Sequence, residues 1–364
     1  MVKRIYIFML LLANIQFITS CSSGEKQMLI AETTRIASEA KIPLIQLEFG
    51  NGNHTISFES SQNDTIVASE NETTIFQVAS LSKPIFAYIV LRMYDRGEIG
   101  LDTSICEYTD IDRFVNKEWA QVLTPRIVLS HRSGLPNWAV SPSSEEWPAA
   151  PIEFAFRPDS AFGYSGEAYA YLQRAVEKIR GKSLQQIAQE EVFIPFGMEL
   201  TSYGWRDIYD KIAADGYNAS GENRGKGRHP RENSAYTLRT TAHEYSLFIR
   251  RGLIEGVGLK PESHKLMLSP QVNAIRYRDR HRECDNYIDW GLGVGIEHNP
   301  ELGDIYYHWG DNGNFKALFV IVPKENKYLA YFTNSNFGHN IIDQITPLYF
   351  GNVEPLKLSA WISE

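Results

Sequence analysis

Strand-like sequence sits at the two ends of this chain, and a long helical stretch separates them. Near the front, Ile42 to Phe49 alternates apolar and polar residues, with Ile45, Leu47 and Phe49 on one face, the period of a half-buried strand. Asn51-Gly52 supplies a tight turn, and His54 to Glu59 returns as the second arm of a hairpin. Beyond about residue 290 the pattern comes back: Leu292–Glu297, Ile305–Trp309, Phe315–Val322 and Tyr328–Thr333 are short, apolar and bounded by turns. Between them, from about 85 to 250, the signal is mostly helical. Ala168 to Ile179 carries an apolar stripe with Gly181 after it, Leu184 to Phe193 is another helix, and Thr241 with Glu244 three residues later reads as a helix start. Helices at Leu29–Lys41 and Ile341–Phe350 flank the two sets of strands, and 216–235, rich in Gly, Asn and Arg, reads as a surface loop. Two strands in front and four behind predict an α+β fold. One antiparallel sheet is built from both chain ends and flanked by helices, an all-helical subdomain is inserted, and a ligand cleft lies between the two parts.

The first residues read as a targeting signal. Lys3 and Arg4 precede an apolar core, Ile5 to Ala13, and Ile18-Thr19-Ser20 leads into Cys21. The apolar run is too short to span a bilayer comfortably. Small residues directly before a cysteine resemble a bacterial lipoprotein signal, so residues 1–20 are expected to be removed and Cys21 lipidated, with 21–27 as a polar tether. The expected location is the cell envelope, anchored by lipid on a periplasmic or surface face. The folded domain is expected over 28–355, with its sheet part at about 28–80 and 236–355 and its helical part at about 85–235.

A net charge of −8, more negative still without Lys3 and Arg4, argues against nucleic acid as a partner. With 43% apolar and 12% aromatic residues, a substantial core is available to the chain. Cys106 and Cys284 make no disulfide framework. His281, Cys284 and Asp285 lie close together without a second paired motif to complete a zinc shell, so neither metal nor other cofactor is expected.

The chemistry points to Ser80-Leu81-Ser82-Lys83, at the start of an apolar helix running to Arg96 with Gly97 as its stop. Residues three apart on a helix share a face, so the Lys83 amine can sit beside the Ser80 hydroxyl. A serine hydroxyl becomes a useful nucleophile when a neighbouring base takes its proton, and a lysine among apolar residues loses its charge readily enough to be that base. Tyr164-Ser165-Gly166 opens the helix from Ala168 and can aim a phenol into a cleft as a proton relay. His308-Trp309-Gly310-Asp311 ends a candidate strand. There Gly310 lets a substrate lie against the strand edge, backbone N–H groups can stabilise an oxyanion, and His308 can meet a carboxylate when protonated or a phenol when neutral.

The order of these segments resembles the serine β-lactamase and penicillin-binding protein superfamily, in its class C-like branch of β-lactamase-related esterases and peptidases. Phe76 to Pro84 resembles the nucleophile box, and Arg96 to Asp102 is similar to the continuation that follows it. Thr124 to Pro136 resembles the "LLSHTSGLP" segment, Pro195-Phe196-Gly197-Met198 resembles "PLGM", and Tyr164-Ser165-Gly166 takes the place of Tyr-x-Asn. His308-Trp309-Gly310 stands where relatives carry Lys-Thr-Gly. The resemblance implies Ser80 as acylated nucleophile, Lys83 and Tyr164 jointly as base and relay, and the N–H groups of Ser80 and Asp311 as oxyanion hole. It places His308 in the cleft opposite Tyr164, with a positive Lys83 lowering the Tyr164 pKa. Gly166 removes an amide that could hold a substrate's acylamino group, and His308 removes a fixed positive charge. Two functions follow as expectations. One is a serine hydrolase acting on an ester, a D-amino-acid peptide or a β-lactam. The other is a penicillin-binding or peptidoglycan-sensing receptor that acylates without efficient turnover. The expected partners are a small-molecule or peptidoglycan-derived substrate and a membrane reached through the lipid.

Overall fold

One strand, β1 (Leu44–Asn51), joins the two ends of the chain. On one side it pairs with β2 (His54–Ser61), which carries β3 (Ile66–Val67); on the other it pairs with the last strand, β11 (Lys327–Thr333), Ile45 lying opposite Thr333. The computed structural model describes residues 24–61, 66–67, 73–352 and 354–363. The expected signal segment 1–20, Cys21 and the first residues of the tether lie outside the described residues. Beyond β11 the sheet continues through β10 (Lys316–Val322), β9 (Gly303–Asp311), β8 (Gly295–Asn299), β7 (Ile288–Trp290) and β6 (Val272–Asn273), every pairing antiparallel. The sheet assembled from both ends is therefore present, with a longer back half than the sequence suggests.

The period-two alternation decides what each face buries. Ile45, Leu47 and Phe49 of β1, Leu318 and Val320 of β10, and Leu329 and Tyr331 of β11 share a core with α1 (residues 24–39) and two C-terminal helices. The opposite face presents Ala317, Phe319, Ala330 and Phe332 to a larger core that includes the helical part. At its centre is α2 (Ser82–Asp95), where Ile85 through Leu91 are all buried. Helices that are apolar all round belong in an interior.

Two domain edges differ from expectation. The first helix begins at residue 24, so part of the expected tether is helical, because Leu29 and Ile30 are buried and hold the helix onto the sheet. At the other end packing runs past 355 into a short helix, Lys357–Ile362, which buries Leu358 and Trp361 and whose Leu358 N–H donates to Glu297 (2.8 Å). A second, small ladder pairs β4 (Phe76–Ala79) with β5 (Leu238–Thr240) and carries the nucleophile segment against the main sheet. Cys106 lies in the helical part and Cys284 in the core on the other face of the sheet, and no disulfide joins them. Among the described residues no helix is long and apolar enough to cross a membrane.

Candidate active site

Ser80 follows β4 in a tight turn whose preceding residue, Ala79, has φ +46°, a left-handed conformation unusual for a residue with a Cβ. Side chains hold that turn. The buried Ser82 hydroxyl donates to the Ala79 carbonyl (2.6 Å) and accepts from the Leu238 N–H, and the Tyr245 hydroxyl donates to the Leu81 carbonyl (2.9 Å). Residues 80 and 81 thus form the entry to α2 rather than its first turn, yet Lys83 still faces Ser80. Its Nζ lies 3.1 Å from Ser80 Oγ and 2.9 Å from the Ala235 carbonyl oxygen. Lys83 is fully buried, and burial pushes its amine well below the ordinary lysine range. The amine donates to both oxygens, and its burial eases the loss of a proton that would leave a lone pair for the Ser80 hydroxyl.

Tyr164 packs beside this pair, with Lys83 Nζ 4.6 Å from its ring centroid. Its ring also packs on His131 at 4.2 Å and Trp309 at 5.1 Å between centroids. Burial raises the phenol above its usual range; the neighbouring Ser80 hydroxyl opposes that shift without making a well-formed hydrogen bond to Oη. The expectation that Lys83 lowers the Tyr164 pKa is therefore corrected. Desolvation of the buried phenol is the largest influence on it and decides the direction.

His308 is buried beside them, its ring 6.2 Å from that of Tyr164. Its Nδ1 lies 2.8 Å from the Trp309 carbonyl, which can only accept, so the ring proton sits on Nδ1 and Nε2 keeps a lone pair. Burial, and then Lys83, push its pKa down to about 3. Of its two expected roles, the neutral ring facing a phenol fits and the imidazolium facing a carboxylate does not. His131, quoted within a motif but given no role by the sequence, is the mirror case. Its Nδ1 accepts the Ser165 N–H (3.2 Å), so its proton sits on Nε2, and burial holds this ring neutral too. The Nε2 atoms of His131 and His308 and the Tyr164 Oη are all buried without a hydrogen-bond partner. The sequence signal for His131 is its place beside the boxes; its function needs the contact to Ser165.

At the third box, a Cβ on Gly310 would fall 2.1 Å from the Val78 carbonyl oxygen. The close approach that glycine permits is therefore to β4, the protein's own strand, where the sequence pointed to substrate. Asn312 N–H donates to the Phe315 carbonyl (3.1 Å), making that pair the hydrogen-bonded one. The adjoining Asp311–Lys316 pair is then the open kind, and the Asp311 N–H points away from β10. The Asp311 side chain turns elsewhere. Burial opposes its ionisation, but the Lys316 ammonium at 2.5 Å holds the carboxyl below its usual range.

Gly166 is explained by Trp138. A Cβ at 166 would meet the indole at 2.4 Å, so the space an asparagine would use is filled by an aromatic ring that packs in turn on Tyr236. A cavity of about 730 Å³ opens beside Tyr164 and Trp309. A slightly larger one, about 760 Å³, borders Arg113, Trp147 and His229; of the two, the first is the one that Tyr164 lines.

A model of the Beta-lactamase family matches residues 58–344. The chain belongs to the beta-lactamase family. Members of this family with the same fold are serine hydrolases. Penicillin-binding protein 4* of Bacillus subtilis (strain 168) is 22% identical over 289 residues, covering 72% of this chain and 61% of its own length, so the chain spans less than two thirds of that relative. A D-stereospecific amidohydrolase from Streptomyces sp. superposes with a TM-score of 0.73 at 16% identity, covering 89% of this chain and 99% of its own. A class C beta-lactamase superposes at 0.72 and 16% identity, covering 91% and 97%. At such identities these structures show the fold this family member shares.

Proposed function

We propose that this beta-lactamase family member is a serine hydrolase working through an acyl-enzyme at Ser80. The observation that carries the reading is the 3.1 Å contact between Ser80 Oγ and a fully buried Lys83 amine. Lys83 takes the hydroxyl proton as Oγ attacks the substrate carbonyl carbon, and the resulting oxyanion is met by the N–H groups of Ser80 and Asp311. Lys83 is then an ammonium beside Tyr164, and the phenol passes a proton to the leaving group while recovering one from Lys83. Hydrolysis of the acyl-enzyme by water restores Ser80. The substrate is an ester, a D-amino-acid peptide or a β-lactam amide. Gly166 and a neutral His308 each withdraw a polar contact that favours β-lactams, a loss of about 1–3 kcal/mol apiece. With Cys21 lipidated, the enzyme works at a membrane face of the cell envelope.

One observation favours the slower alternative, a penicillin-binding receptor. Burial holds Tyr164 as a phenol, and a phenol is a poor base for the water that must release the acyl group. Time-resolved intact mass with a penicillin and with an activated ester, Ser80→Ala alongside, tests both. A transient adduct with product formation, absent from the variant, supports the hydrolase; a lasting stoichiometric adduct supports the receptor. Full turnover by Ser80→Ala removes both.

A further inference from the structure

The loop at 276–282 reads Arg276-Tyr277-Arg278-Asp279-Arg280-His281-Arg282, four arginines at alternate positions with one carboxylate among them, in a chain whose net charge is −8. All four arginines, with Asp279 among them, line the same cavity as Tyr164 and Trp309. They divide into a frame and a working pair. Arg276 lies 4.1 Å over the Trp361 ring and donates to the Trp361 carbonyl (2.7 Å), while Arg282 donates to the Ala360 carbonyl (3.1 Å) and to Asp285. These contacts fasten the loop to the C-terminal helix. Arg278 and Arg280 are exposed. Arg278 stacks 4.9 Å over Tyr277, and among the described residues Arg280 makes no hydrogen bond or ion pair. Arg278 also borders a second groove of about 510 Å³ beside Trp138, so it stands where the two spaces meet.

Resting on the hydrolase reading above, we propose that this loop is an anion-binding wall that selects substrates carrying a carboxylate set apart from the reacting carbonyl. The location follows from which basic groups are accessible. Lys83 and His308 are fully buried, whereas Arg278 and Arg280 are exposed in the same cavity that Tyr164 and Trp309 line, so the accessible cationic groups beside the site are those of this loop. Guanidinium forks match carboxylates bidentately, and two beside each other make a site for one end of a dicarboxylic acyl group.

The test compares the mono-para-nitrophenyl ester of glutaric acid with para-nitrophenyl pentanoate, which has the same carbon chain and no charge. The purified protein is expected to prefer the glutarate ester by about tenfold in kcat/KM, with the preference shrinking as salt is raised. In Arg278→Gln/Arg280→Gln the two esters should become equivalent while the pentanoate rate is unchanged. Equal rates in the parent, or a preference kept by the double variant, overturn the proposal. Calorimetric titration of glutarate into the parent, Ser80→Ala and the double arginine variant reads the same site without chemistry. Binding by the first two and not the third supports the wall; binding that is equal in all three, or absent from all, overturns it. Inorganic phosphate binding in place of glutarate overturns the carboxylate assignment. Glutarate binding by a parent that turns over neither ester sinks the hydrolase reading and spares the wall. Equal turnover of both esters without glutarate binding does the reverse.

Discussion

The second partner of the Lys83 amine is a carbonyl, that of Ala235. A carboxylate there would hold the ammonium form, whereas a carbonyl leaves burial to decide, and burial favours the free amine. Because the base is the deprotonated form, labelling of Ser80 by a fluorophosphonate should rise with pH and level off well below the ordinary lysine range. A rate that climbs steadily to that range would show an ordinary, charged lysine. Lys83→Arg puts a guanidinium that cannot give up its proton in place of the base, and labelling should slow by roughly 10²–10⁴-fold, with a melting curve alongside to read the fold. Gly166→Asn restores the residue of relatives yet drives a side chain into Trp138, costing about 1–3 kcal/mol of stability in thermal or denaturant melts. Adding Trp138→Ala should recover much of that loss, and a single variant as stable as the parent would remove the steric account. Ser80 and Lys83 were legible because their three-residue spacing carries their chemistry, and Tyr164 because its box, at the loop that opens a helix, resembles that of the family. Trp138 over Gly166 and the Ser165 contact of His131 were not, since both depend on loops meeting in space.

At the scale of elements, the site is a junction of β4, β9 and the entry to α2. Four residues of β4 are buried on both faces, so they show no alternation, and the strand's partner, β5, lies far along the chain. That is why sequence patterning passed over the ladder that holds the nucleophile while recovering α2, β10 and β11 almost to the residue. Gly310 is the point of contact between β9 and β4. Gly310→Ala should force β9 from β4 and, if the proposed oxyanion hole uses the Asp311 N–H, slow acylation by roughly 10²-fold. The check is the labelling rate beside a melting curve, and a fully active alanine variant would show that the approach has no catalytic part.

For the whole molecule, burial of neutral imidazoles ties stability to pH. The unfolded chain protonates His131 and His308 near the ordinary value of 6.5, whereas folded His308 resists until about 3 and His131 also stays well below. Below about pH 6.5 the unfolded state therefore binds more protons, and each ring withdraws up to about 1.4 kcal/mol of stability per pH unit. Carboxyls raised by burial, such as Glu59 and Glu297, act in the opposite direction at lower pH, so comparison with a variant isolates the histidine. Denaturant midpoints between about pH 6.5 and 5 should fall less steeply in His308→Gln, and an unchanged slope would mean the folded ring is already protonated. The α+β plan itself was readable from where strand patterns fall; the extra strands β6 and β7 and the closing helix were too short to announce themselves. The placement of β1 between β2 and β11 also bears on how the protein is made. A ribosome delivers β1 first and its C-terminal neighbour almost last, so one hydrogen-bonding edge of β1 stays open through most of synthesis. The Ser80 turn is thus translated early but framed late, and a chain halted before β11 carries Ser80, Lys83 and Tyr164 with its sheet still in two halves, β1–β3 and β6–β10.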